Sequence, residues 1–199
     1  MNHTPFTHPT LILASGSPRR HELLTVAGIS HIVRVPQADE SLPPRIDPRR
    51  AVAILSMRKA TAALAAAPET DALVLAADTV VAVDGEILGK PHSAEEAQQM
   101  LCRLSGRSHT VCTGITIANR TKSVTAVEEA AVHMRPILPE EIDAYIATGD
   151  PMDKAGAYGI QGKAGLFVTG IVGDYFTIVG LPVCRVGNIL RKHFGFTLI

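Results

Sequence analysis

Apolar residues gather in runs along this chain, and two of the runs are unbroken enough to read as strands. Thr10–Ala14 is short, and Leu73–Val83 is a longer segment with the composition of a buried strand. Asp84-Gly85 is a hairpin signal that returns the chain into Glu86-Ile87-Leu88. Thr110–Ala118 and Val124–His133 are strand-like and are separated by the turn residues Asn119-Arg120-Thr121-Lys122. Shorter strands are expected over Gly165–Val168 and Tyr175–Val179.

Helix signals fall between these runs. The segment His21-Glu22-Leu23-Leu24 follows Ser17, a good N-cap, and Pro18, preorganised for the first helical position. Pro48–Ala67 is rich in alanine and closed by Pro68. Ser93-Ala94-Glu95-Glu96 is a capping box that opens a helix ending near Leu104. Pro139–Thr148 stops at Gly149, and Val183–Phe194 stops at Gly195. Strands and helices interleave irregularly, which predicts an α/β fold with a mixed β-sheet flanked by helices and not a regular doubly wound order.

Composition narrows the class. With 199 residues, 46% hydrophobic and 19% charged, the chain fits one globular domain over residues 10–199 behind a loose, polar N-terminal extension over 1–9. The formal net charge is zero, which argues against a dedicated nucleic-acid surface yet leaves room for a locally basic nucleotide pocket. Cys102, Cys112 and Cys184 show no CxxC spacing, and the histidines form no HExxH. Reduced thiols in a cytoplasmic setting are expected, not a disulfide framework or a zinc site. No apolar run approaches the length of a membrane span.

Three places carry chemistry. Ser15-Gly16-Ser17-Pro18-Arg19-Arg20 joins a strand to a helix start, so backbone N–H groups and a positive dipole end meet two arginines whose forked donors suit phosphate oxygens. An ordinary strand-to-helix connection with solvated arginines is the plain alternative. Asp78 interrupts an otherwise apolar run, where a carboxylate is costly unless paired, hydrogen-bonded or metal-bound. A salt bridge would explain it, and so would a catalytic or metal-binding role, with Lys59 and Lys90 nearby in sequence. Gly149–Gly162 holds four glycines and a proline in fourteen residues, a long shaped segment of the kind that often carries function. Its Gln161 offers an amide donor and acceptor suited to a base edge, although a surface Ω-loop is the simpler reading.

Together with Ala76-Ala77-Asp78-Thr79-Val80, Leu88-Gly89-Lys90-Pro91, the run from Gly106 to Gly114, Gly173-Asp174-Tyr175 and Gly180-Leu181-Pro182, these motifs resemble the Maf family from about Leu11 to Phe194. Two departures are visible: Asp150 stands where Glu is usual, keeping the charge, and Thr177 stands where Asn is usual. The resemblance implies an ITPase-like fold and a homodimer. It also implies hydrolysis of a nucleoside triphosphate between its α- and β-phosphates, to monophosphate and pyrophosphate. On this resemblance Asp78 is the general base, and Glu40 with Asp78 would hold a divalent cation, Mg²⁺ or Mn²⁺. Ser15, Arg20, Lys59 and Lys90 would hold the triphosphate. Arg19, Thr79 and Gln161 match the set of the dTTP/UTP type, which extends the expected substrates to modified pyrimidine triphosphates. The alternatives are the 7-methyl-GTP type of the same family and a nucleotide-sensing regulator of cell division. A general α/β nucleotide-binding module lacking this chemistry is the remaining rival.

Overall fold

Leu73–Val83 (β3) organises the sheet. In the computed structural model, which describes residues 9–196, it pairs antiparallel with Ser108–Ala118 (β5), from Val74 opposite Ala118 to Ala82 opposite Thr110. The other edge of β3 has two partners. Leu11–Leu13 (β1) lies parallel to Leu73, Val74 and Leu75, and Glu86–Leu88 (β4) folds back on Val81, Ala82 and Val83. The connection to β4 is a two-residue turn in which Asp84 and Gly85 have φ of 54° and 78°, the conformation that matches strand twist. Residues 76–80 of β3 therefore have no strand beside them on that edge.

Ile32–Val33 (β2) adds parallel to β1, Ser123–Met134 (β6) antiparallel to β5, and Val168–Gly173 (β7) antiparallel to β6. Among the described residues the sheet has seven strands, in the order β2-β1-β3-β5-β6-β7 with β4 beside β3. It is mixed and flanked by helices, as expected.

Successive side chains of a strand point to opposite faces, and on β3 that alternation decides what each face carries. Leu73, Leu75 and Ala77 join Leu11, Leu13, Ile115 and Ile117 under Leu24 of helix Pro18–Val26 (α1) and Val186 and Leu190 of helix Val183–Phe194 (α6). Farther along that face, Val81 and Val83 pack under helices Ala94–Leu104 (α3) and Pro139–Ile146 (α4). Thr79 falls between these two apolar clusters. On the opposite face Val74 and Ala76 meet Ala60 and Ala63 of helix Pro48–Ala66 (α2), and Val80 meets its Val52. Asp78 falls between those contacts.

Local signals explain most boundaries. Asp47 caps α2 by accepting from the Arg50 N–H at 3.0 Å, and Ser93 caps α3 by accepting from the Glu96 N–H at 3.2 Å. The Glu96 carboxylate reaches back one residue beyond the cap, to the His92 N–H at 2.7 Å. The side chain of Ser17 makes no cap bond. Instead the Ser17 N–H donates to the Ser15 hydroxyl at 3.2 Å.

Two expected strands take other forms. Tyr175–Val179 is a short helix (α5), because the Asp174 carboxylate accepts from both the N–H and the hydroxyl of Thr177 at 2.8 Å, and Gly180 at φ 115° closes the turn. Those terminal bonds outweigh the strand preference of Thr177, Ile178 and Val179. Gly165–Phe167 belongs to a 3₁₀ turn, Lys163–Phe167, and the strand begins only at Val168. The expected N-terminal extension lies outside the described residues except for Pro9, as do residues 197–199.

Candidate active site

The open edge of β3 faces a cleft of about 1040 Å³. Ser15, Arg19, Arg20, Glu40, Lys59, Asp78, Thr79, Lys90 and Gln161 all line it, although they come from six different segments of the chain.

One wall is set by α2. Lys59 Nζ donates to Asp78 Oδ1 at 2.5 Å and lies 2.8 Å from Glu40 Oε1, so two carboxylates converge on one ammonium. Lys59 and Asp78 are mostly shielded, with side-chain exposures of 17% and 14%, while Glu40 at 64% reaches in from solvent. Arg58 fixes the segment that carries Glu40: its Nη1 donates to the carbonyls of Asp39 at 3.2 Å and Ser41 at 2.7 Å. It also pairs with the Asp39 carboxylate at 3.2 Å. Sequence reasoning passed over Arg58, whose only signal is that it precedes Lys59 on the helix.

The other wall is set by α1 and α5. Arg20 directs Nε to the Gly180 carbonyl at 2.8 Å, Nη1 to the Ser15 hydroxyl at 3.0 Å and Nη2 to the Thr79 hydroxyl at 3.0 Å. Three of its five N–H donors thus hold the strand-to-helix turn against β3 and the end of α5, leaving two for a ligand. Burial pulls this guanidinium below its usual pKa, opposed by the negative charge of Asp78. Thr79 Oγ1 lies 2.9 Å from Thr113 Oγ1, and Thr113 donates to the Thr177 carbonyl at 2.7 Å.

The Gly149–Gly162 segment also lines the cleft. Lys154 holds it in shape, with Nζ donating to the Asp150 carbonyl and the Asp153 carboxylate, each at 2.6 Å. Gly156 and Ala157 have φ of 67° and 59°, and the Gly156 N–H donates to the Gly89 carbonyl at 2.9 Å, tying the segment to the turn that bears Lys90. Tyr158 lies 2.6 Å from His109 Nε2 through its hydroxyl, and both residues are buried. Arg19 Nη1 lies 3.7 Å from Asp153, which joins the start of α1 to this segment. Gln161 and Lys90 are exposed along the cleft. Lys154, Tyr158, His109 and Thr113 were not singled out in the sequence. The glycine-rich segment around the first two was the available clue.

The order and spacing of these parts match a known family: the family described as Maf-like protein matches residues 10–193. The chain belongs to the Maf family. Among curated relatives, the dTTP/UTP pyrophosphatase of Symbiobacterium thermophilum is 48% identical over 188 residues, covering 94% of this chain and 95% of its own. That of Moorella thermoacetica is 48% identical over 182 residues, covering 90% and 93%, and that of Alkaliphilus metalliredigens 44% over 191 residues, covering 95% and 98%. A solved structure, that of the Staphylococcus aureus Ham1 protein, overlaps only loosely, with a TM-score of 0.46 and 15% identity over 63% of this chain and 71% of that one.

Chemically, this Maf cleft combines five lysine and arginine side chains, Arg19, Arg20, Lys59, Lys90 and Lys154, with the shielded carboxylate of Asp78. Such a set can hold several phosphates and keep a base close to them. Among the described residues no cluster of three or more His, Cys, Asp or Glu side chains forms a ready-made metal cage, and no helix is long and apolar enough to cross a membrane.

Proposed function

We propose that this Maf-family chain is a nucleoside triphosphate pyrophosphatase acting on dTTP and UTP, and on modified pyrimidine triphosphates, to give the monophosphate and pyrophosphate. The observation that carries the reading is the meeting of Asp78 and Lys59 on one wall with Arg20, Ser15 and Thr79 on the other. The names of the relatives, dTTP/UTP pyrophosphatase, supply the substrate class. In this reading the catalytic domain covers residues 10–199 and the protein acts as a cytoplasmic homodimer.

Asp78 is the general base. Lys59 engages Oδ1, and no hydrogen bond from the described residues reaches Oδ2, which is left to take a proton from water. Ser15, the two remaining donors of Arg20, Lys59 and the exposed Lys90 hold the triphosphate. Arg19, Thr79 and Gln161 read the base.

A divalent cation fits the donor set. The carboxylates of Asp78 and Glu40 already converge on one cationic atom, and hard oxygens in that number suit Mg²⁺ or Mn²⁺ completed by phosphate oxygens and water. Glu40 and Asp78 would hold the ion, which supplies charge neutralisation of the phosphates.

The test is pyrophosphate release by the purified protein with Mg²⁺ over a panel of dTTP, UTP, CTP, ATP, GTP and 7-methyl-GTP. The expected kcat/KM is highest for dTTP and UTP. Gln161→Ala is expected to narrow the gap between UTP and CTP more than it weakens triphosphate binding. A preference for 7-methyl-GTP would overturn the pyrimidine assignment, and tight binding of nucleotide without turnover would favour a sensor.

A further inference from the structure

The hydrogen-bond series that runs inward from Arg20 has a fixed direction. The guanidinium can only donate, so Thr79 Oγ1 accepts from Nη2 at 3.0 Å. At the other end the Thr177 carbonyl can only accept, so Thr113 gives it its single hydroxyl proton at 2.7 Å. Thr113 then has no proton left for Thr79, 2.9 Å away, and the Thr79 hydroxyl must be the donor between them. Thr113 and Thr177 are fully buried, so water offers neither an alternative partner. Thr177 takes part through its main-chain carbonyl, while its side chain bonds Asp174.

We propose that Thr113, which does not line the cleft, is a specificity-positioning residue. By holding the Thr79 proton inside the protein it leaves Thr79 facing the cleft as a pure acceptor, matched to the imide N3–H of uracil and thymine. The proposal rests on the pyrimidine pyrophosphatase reading. An acceptor repels a phosphate oxygen, so Thr79 serves the base and not the triphosphate. Cytosine carries a bare acceptor at N3, and two facing acceptors leave both unpaired. The ring position that separates UTP from CTP is thereby read by a hydroxyl whose polarity is set one residue deeper in the sheet.

The experiment compares kcat/KM for UTP, CTP and N3-methyl-UTP in wild type, Thr113→Val and Thr113→Ser. Wild type is expected to favour UTP over both others by roughly ten- to a hundredfold, the range for a buried polar group left unpaired. Thr113→Val removes the acceptor for the Thr79 proton, which is then free to turn toward cytosine N3, and the UTP:CTP ratio should fall by about tenfold. Thr113→Ser restores the hydroxyl and should restore the ratio. A ratio is unaffected by loss of folded enzyme, so a merely structural role for Thr113 would lower both substrates together, and that outcome overturns the proposal. If the valine variant does not fold, N3-methyl-UTP decides on wild type alone: turnover equal to UTP overturns the proposal, and loss of turnover supports it. Wild-type protein that releases no pyrophosphate from UTP or dTTP would instead remove the underlying reading.

Discussion

The Cβ that Gly114 lacks would lie 2.3 Å from the carbonyl oxygen of Val52. Gly114 stands opposite Asp78 in the β3–β5 ladder, and Val52 lies on the same helix as Lys59, two turns earlier. This close approach of helix backbone to strand backbone lets the ammonium of Lys59 reach the carboxylate of Asp78. Gly114→Ala must push α2 away from the sheet, since neither partner is a flexible side chain. A loss of about 2–3 kcal/mol is expected, equivalent to about 5–10 °C in Tm for a chain of this size. kcat should fall in the protein that remains folded. A calorimetric Tm within a degree of wild type would contradict this account.

Asp78→Asn keeps the shape of the side chain and removes its basicity. Turnover of UTP should drop by roughly 10²- to 10⁴-fold, the range for a lost general base, with much less change in nucleotide affinity. Lys59 retains Glu40 as a partner, so the wall should hold together. Near-normal kcat in this variant would exclude Asp78 as the base.

Metal dependence separates a catalytic ion from a structural one. Excess EDTA should abolish pyrophosphate release, and Mg²⁺ or Mn²⁺ should restore it. The melting temperature of the nucleotide-free protein should not move, because Lys59 already pairs with both carboxylates without an ion. Undiminished activity under chelation would count against the Glu40–Asp78 assignment.

His109 makes the fold sensitive to acid. Burial lowers its pKa from 6.5 to about 4, and its Nδ1 has no hydrogen-bond partner, so a second ring proton would be buried without an acceptor. Between pH 6.5 and 4 the unfolded chain binds a proton at this site that the folded chain refuses. Stability therefore falls as pH is lowered through that window, by up to about 3 kcal/mol from this residue. Urea titrations at pH 7 and pH 4.5 should show the loss, and His109→Phe should shrink it. Equal pH dependence in the variant would assign the acid sensitivity to other groups.

Much of this molecule is legible in the order of its residues, for identifiable reasons. Leu73–Val83 is a strand flanked by partners on both faces, so its apolar run is unambiguous, and Asp78 stands out against it. The hairpin at Asp84-Gly85 and the caps at Asp47 and Ser93 are local devices that depend on few neighbours. What was missed is one local cap hidden by strand-like composition and, beyond it, contacts with tertiary partners. Tyr175–Val179 has the composition of a strand until the Asp174 carboxylate is seen bonding Thr177. Thr113 reads as an ordinary strand threonine, because the Thr177 carbonyl that orients it lies far along the chain. Arg58 acts on main-chain carbonyls, which leave no mark in the choice of residue at Asp39 or Ser41.

Asp78 and Thr79 are neighbours in the chain yet look out from opposite sides of the sheet, one toward α2 and the other toward α1 and α5. On the proposed assignments, the carboxylate that takes the proton and the hydroxyl that reads the base stand on opposite faces of one strand and share one peptide unit. Substitutions confined to base-reading positions such as Arg19 and Gln161 can change which nucleotide is accepted while Asp78, Lys59 and the triphosphate-holding Arg20 stay as they were. New substrate preferences can then arise stepwise in such a scaffold, each intermediate still able to cleave.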